Sequence, residues 1–120
     1  MKYLCLVYLE EKRLEEVNDA HCIDYDESVR KSGHCIASEA LQSVQTATTV
    51  RLRNGKVSIT DGPFAETREQ LAGFYLLEAR DLDEAIQLAS RIPPAQVGSI
   101  EIRPVRPIRE TVSRQGATAR

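Results

Sequence analysis

The sequence predicts an α+β fold: a ferredoxin-like subunit, β-α-β followed by β-α-β, with a β-hairpin inserted between the two halves. Short apolar or alternating runs bounded by turn residues recur along the chain, as strands do. Two other stretches repeat apolar residues every three or four positions, which is the helical period. Between them Asn54-Gly55 separates two β-branched runs, the signal of a type I′ hairpin turn. A length of 120 residues is that of one domain.

Taken in order, residues 2 to 8 form a continuous run of Leu, Val and Tyr, short enough for a strand and apolar enough to be a central one. Leu14, Val17, His21, Tyr25, Ser28 or Val29, and Ser32 then recur on one helical face, and Gly33 ends the pattern as a C′ glycine does. Asn18-Asp19 favours an N-cap, so the segment is either one helix or two, the second beginning near Ala20. His34 to Leu41 reads as the second strand. Thr46 to Arg53 and Val57 to Thr60 read as the hairpin.

Leu71 to Ala79 is the fifth strand, where Gly73 marks a bulge or a close backbone approach. Asp81 with Glu84 opens a capped helix whose buried stripe is read as Leu82, Ala85, Ile86, Ala89 and Ile92 before Pro93-Pro94 stops it. Ser99 to Val105 is the last strand, and Pro104 and Pro107 put it at an edge. Arg109 to Arg120 lacks any period and is expected to be a flexible tail. Two helices cover only one face of a sheet, so a second copy is expected on the other, making a homodimer.

Composition narrows the function classes. Charged residues at 28%, apolar ones at 42% and a net charge of −2 describe a globular protein with no basic face for nucleic acid. No run is long enough to cross a membrane, so a cytoplasmic protein with no membrane partner is expected. The three cysteines, Cys5, Cys22 and Cys35, have no metal-ligand spacing and read as free thiols. Cys22 follows His21 and Cys35 follows His34, but adjacent residues diverge on helix and strand alike, which argues against a Cys-His dyad. With no phosphate loop, catalytic Ser-His-Asp order or metal cluster, no cofactor is expected.

The stretch with residues that packing does not require is Asp61-Gly62-Pro63-Phe64-Ala65-Glu66-Thr67, a carboxylate at the lip of a stiff turn beside a large ring. With Gly73-Phe74-Tyr75 and Asp81-Leu82-Asp83-Glu84-Ala85 downstream, it resembles the Asp-Gly-Pro-Phe branch of the YCII-related family over roughly residues 1 to 108. The resemblance implies a domain of that extent whose ferredoxin-like subunits pair as a dimeric α+β barrel. Activity is unsettled in that family. Relatives are proposed to use a His and an Asp in a cleft, and at least one is a dehydrochlorinase acting on a hydroxylated aromatic ring.

The resemblance also selects residues. The family's candidate catalytic His lies in the first helix, about a dozen residues before the glycine that opens the next strand, and His21 and Gly33 match that layout. The helical period turns His21 inward with Leu14, Val17 and Tyr25, where a neutral imidazole could exchange a proton. Relatives often place an Asp two residues before that glycine, where this chain has Lys31, so the orienting carboxylate must come from elsewhere. Asp61 is the leading substitute, with Asp24 and Glu39 as others.

The remaining candidates read as follows. His34 is taken as an exposed strand start, Arg51 and Arg53 as a solvated face able to meet an anion, and Tyr8 and Tyr75 as core residues able to donate a hydrogen bond. The functional expectation is a small-molecule enzyme of the elimination or hydrolysis class. His21 and Asp61 would be catalytic, and Gly62, Pro63, Phe64 and Glu39 would shape the ligand pocket. The alternative is a ligand-binding or regulatory module without catalysis, and a purely structural oligomer is the third reading.

Overall fold

The computed structural model describes residues 1–108, and the expected tail, Arg109 to Arg120, lies outside them. Six strands and two α-helices follow in the order β1 (Lys2–Leu9), α1 (Asp19–Lys31), β2 (Cys35–Ala40), β3 (Thr48–Arg53), β4 (Lys56–Asp61), β5 (Gln70–Glu78), α2 (Leu82–Ala89), β6 (Ser99–Pro104). Strands β2-β5-β1-β6 form one antiparallel sheet in that spatial order, the ferredoxin-like arrangement, while β3 and β4 form a separate two-stranded hairpin. The apolar run at the start of the chain thus lies in the interior of the sheet, and the Pro104-bearing strand lies at its edge, as a residue without an N–H requires.

Alternation along β1 decides the two faces. Tyr3, Cys5, Val7 and Leu9 are buried beneath the helices with Tyr25, Val29, Leu77, Ala85, Leu88, Ala89 and Ile92, while Leu4, Leu6 and Tyr8 stay half-buried on the opposite, open face. Each fully buried aliphatic such as Leu77 contributes about 1.5–3 kcal/mol. Across the open face Leu4 sits opposite Leu76 and Leu6 opposite Phe74.

Several expectations are refined. The first helical stretch is split: a 3-10 helix spans Glu11–Glu16, and α1 restarts after Asn18, whose Oδ1 accepts from the amides of Ala20 at 2.8 Å and His21 at 3.3 Å. Because the period restarts at that cap, Leu14 does not continue the face of α1. The inner face is set by Cys22, Tyr25, Asp26 and Val29, and both Leu14 and His21 are exposed. The stripe of α2 is rotated in the same way: Ala85, Leu88, Ala89 and Ile92 are buried, whereas Leu82 and Ile86 stand half in solvent. Asp81 caps that helix by accepting from the Glu84 amide at 2.9 Å.

Gly73 serves both purposes expected of it. The register of β1 against β5 slips at Val7/Tyr8, so that Val7 faces Gly73 and Tyr8 faces Leu71. A Cβ on Gly73 would stand 2.7 Å from the Glu39 carbonyl oxygen, so only glycine lets β2 approach this closely. In the hairpin turn Asn54 takes a φ of 52°, as a type I′ turn demands.

Candidate functional site

Between α1 and the sheet runs a cleft of about 580 Å³. Its floor is apolar, from Val7, Leu9 and Ala72, and it is closed at one end by Leu14, Val17 and Pro94. Its polar wall comes from successive turns of α1, Cys22, Asp26 and Arg30, facing Ser38 of β2 and Tyr75 of β5. Residues four apart share a helix face, which is why these three side chains reach one cleft.

Three of these groups form a closed network. The Ser38 hydroxyl donates to Asp26 Oδ1 at 2.6 Å, Arg30 Nε donates to Asp26 Oδ2 at 2.9 Å, and Arg30 Nη2 donates to Ser38 Oγ at 2.8 Å. The Ser38 hydroxyl, and then the Arg30 guanidinium, hold Asp26 below the ordinary carboxylate range, so it is ionised at neutral pH. Tyr75 packs edge-on against Tyr25 with ring centroids 5.2 Å apart. Burial pushes the Tyr75 phenol up to about 12, so it stays a hydrogen-bond donor. The Tyr25 hydroxyl is committed to the core, donating to the Leu88 carbonyl at 2.7 Å. Burial, and then the nearby Asp19 charge, raise the Cys22 thiol, which makes it a poor nucleophile.

Of the residues assigned from sequence to catalysis or to the ligand pocket, all but one are absent from the lining of this cleft, which Tyr75, a further candidate, does reach. His21 was expected to turn inward; it is exposed in the first turn of α1, between the cleft-lining Asp19 and Cys22. Asp61 ends β4, paired with Thr48 at the base of the hairpin, and is exposed. The topology brings both to one end of the sheet. The segment before α1 is tied to the hairpin base, where Glu11 accepts from the Ser43 hydroxyl at 2.9 Å and the Val44 amide at 2.6 Å, and the cleft joins Asp19 to Ala40 at that end.

Gly62 takes a φ of 98° and donates its amide to the Ala47 carbonyl at 2.7 Å, which fastens the turn after β4. Phe64, expected to line a pocket wall, is 78% exposed, and Gly62, Pro63 and Phe64 do not line the cleft. Glu39 is the exception. It borders the cleft at Gly73, although its register opposite Phe74 gives it to the open face. His34 is held by Nδ1 at 2.9 Å from the Glu78 carbonyl oxygen.

The network of Asp26, Arg30 and Ser38 went unread in the sequence because the face of α1 was phased on Leu14. Phased instead on Cys22, Tyr25, Asp26 and Val29, the spacing would have shown an aspartate and an arginine one turn apart on the inner side. Among the described residues no group of three or more His, Cys, Asp or Glu is placed to hold a metal ion, and no helix is long and apolar enough to cross a membrane.

Comparison with known proteins gives two findings. The model of the YCII-related domain matches residues 1–109. A protein of Rhizobium meliloti (strain 1021), described as uncharacterized protein R00369, is 48% identical over 61 residues, 49% of each chain. The match therefore spans about half the length of that relative.

Proposed function

Because the chain belongs to the YCII-related family, we propose that it takes a small molecule into the cleft between α1 and the sheet and acts on it by acid–base chemistry of the elimination or hydrolysis class. The observation that carries this reading is the cleft itself: a space of about 580 Å³ over an apolar floor, with an ionised carboxylate, a guanidinium and a phenol along one wall. His21 and Asp61 are the pair assigned to proton transfer, and the Gly62-Pro63-Phe64 turn of the Asp-Gly-Pro-Phe branch is assigned an apolar wall in the assembled protein. Glu39 is the further ligand contact.

The assembly we propose is a homodimer of the dimeric α+β barrel kind. Its support is the open sheet face, where Leu4, Leu6, Phe74 and Leu76 remain only half-buried between Glu39 on one side and Glu101 and Arg103 on the other. The free state of all three cysteines fits a reducing compartment, and we place the protein in the cytoplasm.

One observation favours a second reading, a binding module without turnover. Asp26 is held ionised by Ser38 and Arg30, and Cys22 is held protonated, so these cleft groups grip a ligand better than they exchange its protons. Turnover of small ring and carbonyl compounds across pH separates the two. An enzyme using His21 loses its turnover in His21→Ala, and unchanged turnover in that variant removes His21 from the mechanism. Binding that survives the substitution, with no turnover of any compound, selects the module.

A further inference from the structure

Among the described residues, the hairpin is built as no other element is. Its register sets Val50 opposite Ile59 and Leu52 opposite Val57, so all four side chains share one face. They are 63%, 68%, 63% and 64% exposed respectively, and the principal contacts of β3 and β4 are with each other. The other face carries Thr49, Arg51, Arg53, Lys56, Ser58 and Thr60. A lone two-stranded hairpin is marginal in water, and the described residues leave the apolar side of this one mostly exposed.

Building on the homodimer reading above, we infer that this hairpin is the main association arm, its Val50–Leu52–Val57–Ile59 face packing against a second copy of the chain. The area argument selects that occupant. A stable interface buries about 800 Å² per partner, of which roughly 450–500 Å² is apolar. The half-buried open face offers only on the order of 150 Å² from Leu4, Leu6, Tyr8, Phe74 and Leu76, taking about 60–120 Å² for a fully exposed apolar side chain. The four hairpin residues add on the order of 250 Å² on the same basis, which brings the total close to what a dimer needs.

Charge agrees with this choice of partner. The polar side of the hairpin carries three cations, Arg51, Arg53 and Lys56, while Glu15, Asp19, Asp24 and Glu27 on and before α1 are exposed and unpaired among the described residues. A second copy therefore offers the hairpin both apolar cover and a complementary rim.

The test compares sedimentation of the full chain with that of two variants over a range of concentrations. Val50→Thr with Ile59→Thr keeps β-branched residues in both strands while removing apolar surface, and Ser58→Lys alters only the polar face. The wild-type chain should be a dimer, the double variant should dissociate about 100-fold more readily with an unchanged far-ultraviolet spectrum, and Ser58→Lys should hold the dimer at least as firmly as the wild type. A dimer indifferent to the double variant overturns the hairpin inference alone, as does equal weakening by Ser58→Lys. A monomeric wild-type chain overturns the homodimer reading with it and leaves the hairpin to a different protein.

Discussion

The cleft beside α1 and the hairpin β3-β4 use similar strand residues to opposite ends. Val7 in β1 has a paired strand on each side and a helix above it, and it is buried; Val50 in β3 has one paired strand and no helix above it among the described residues, and it is mostly exposed. Burial is thus decided by what the topology places next to a side chain, since the residue type is the same. In the cleft the sheet and α1 already satisfy one another, so the residues left over are polar ones: Asp26, Arg30 and Ser38, bonded to each other. In the hairpin the residues left over are apolar, and among the described residues they stand mostly in solvent.

Truncation separates the two regions most sharply. Leu77→Ala, in the fully buried centre, should cost about 2–5 kcal/mol in chemical denaturation, whereas Leu52→Ala in the hairpin should stay within about 0.5 kcal/mol for the dissociated chain. A large effect of Leu52→Ala at dilutions where no dimer persists would place that side chain in the fold itself. Gly73→Ala comes next. Its methyl group would press on the Glu39 carbonyl oxygen at 2.7 Å, with backbone on the other side of the contact, so a loss of about 1–3 kcal/mol and a disturbed β2 edge are expected in hydrogen exchange.

Asp26→Asn should cost less, about 1 kcal/mol or below, because the pair with Arg30 is half-exposed and screened. The sign of its pH dependence is fixed. The folded state lowers the Asp26 pKa, so the stabilisation is complete above the unfolded carboxylate value of about 3.9 and is lost as pH falls through the lower folded value. Wild type and Asp26→Asn should therefore converge in stability as pH falls below about 4. The smallest effect on the fold is a reactivity pattern. Burial pushes the Cys5 thiol up to about 11, so alkylation at pH 8 should leave Cys5 unmodified until the chain unfolds.

The architecture was legible because it rests on local chemistry. Asn54-Gly55 fixed the hairpin, the apolar run at the start of the chain implied an interior strand, Asp81 announced α2, and Gly73 announced the irregularity in β5. The candidate site was legible only in part. Its location depends on the phase of α1, and a cap at Asn18 resets that phase by a fraction of a turn, enough to carry His21 outward and Asp26 inward. No periodicity count crosses such a cap reliably. Nor does a sequence say that Ser38 of a strand meets Asp26 of a helix, since that contact is made by packing α1 on β2.

The central claim is that the cleft of α1 is where a small molecule sits. Backbone amide shifts of the full chain, followed by NMR during titration with phenol as a ring-sized probe, test it most directly. The account predicts saturable shifts at Cys22, Asp26, Ser38, Gly73 and Tyr75, which line the cleft, and weaker ones at His21 beside Cys22. Shifts confined to the Asp61–Phe64 turn or to the hairpin, with the cleft amides unmoved at saturation, would contradict it.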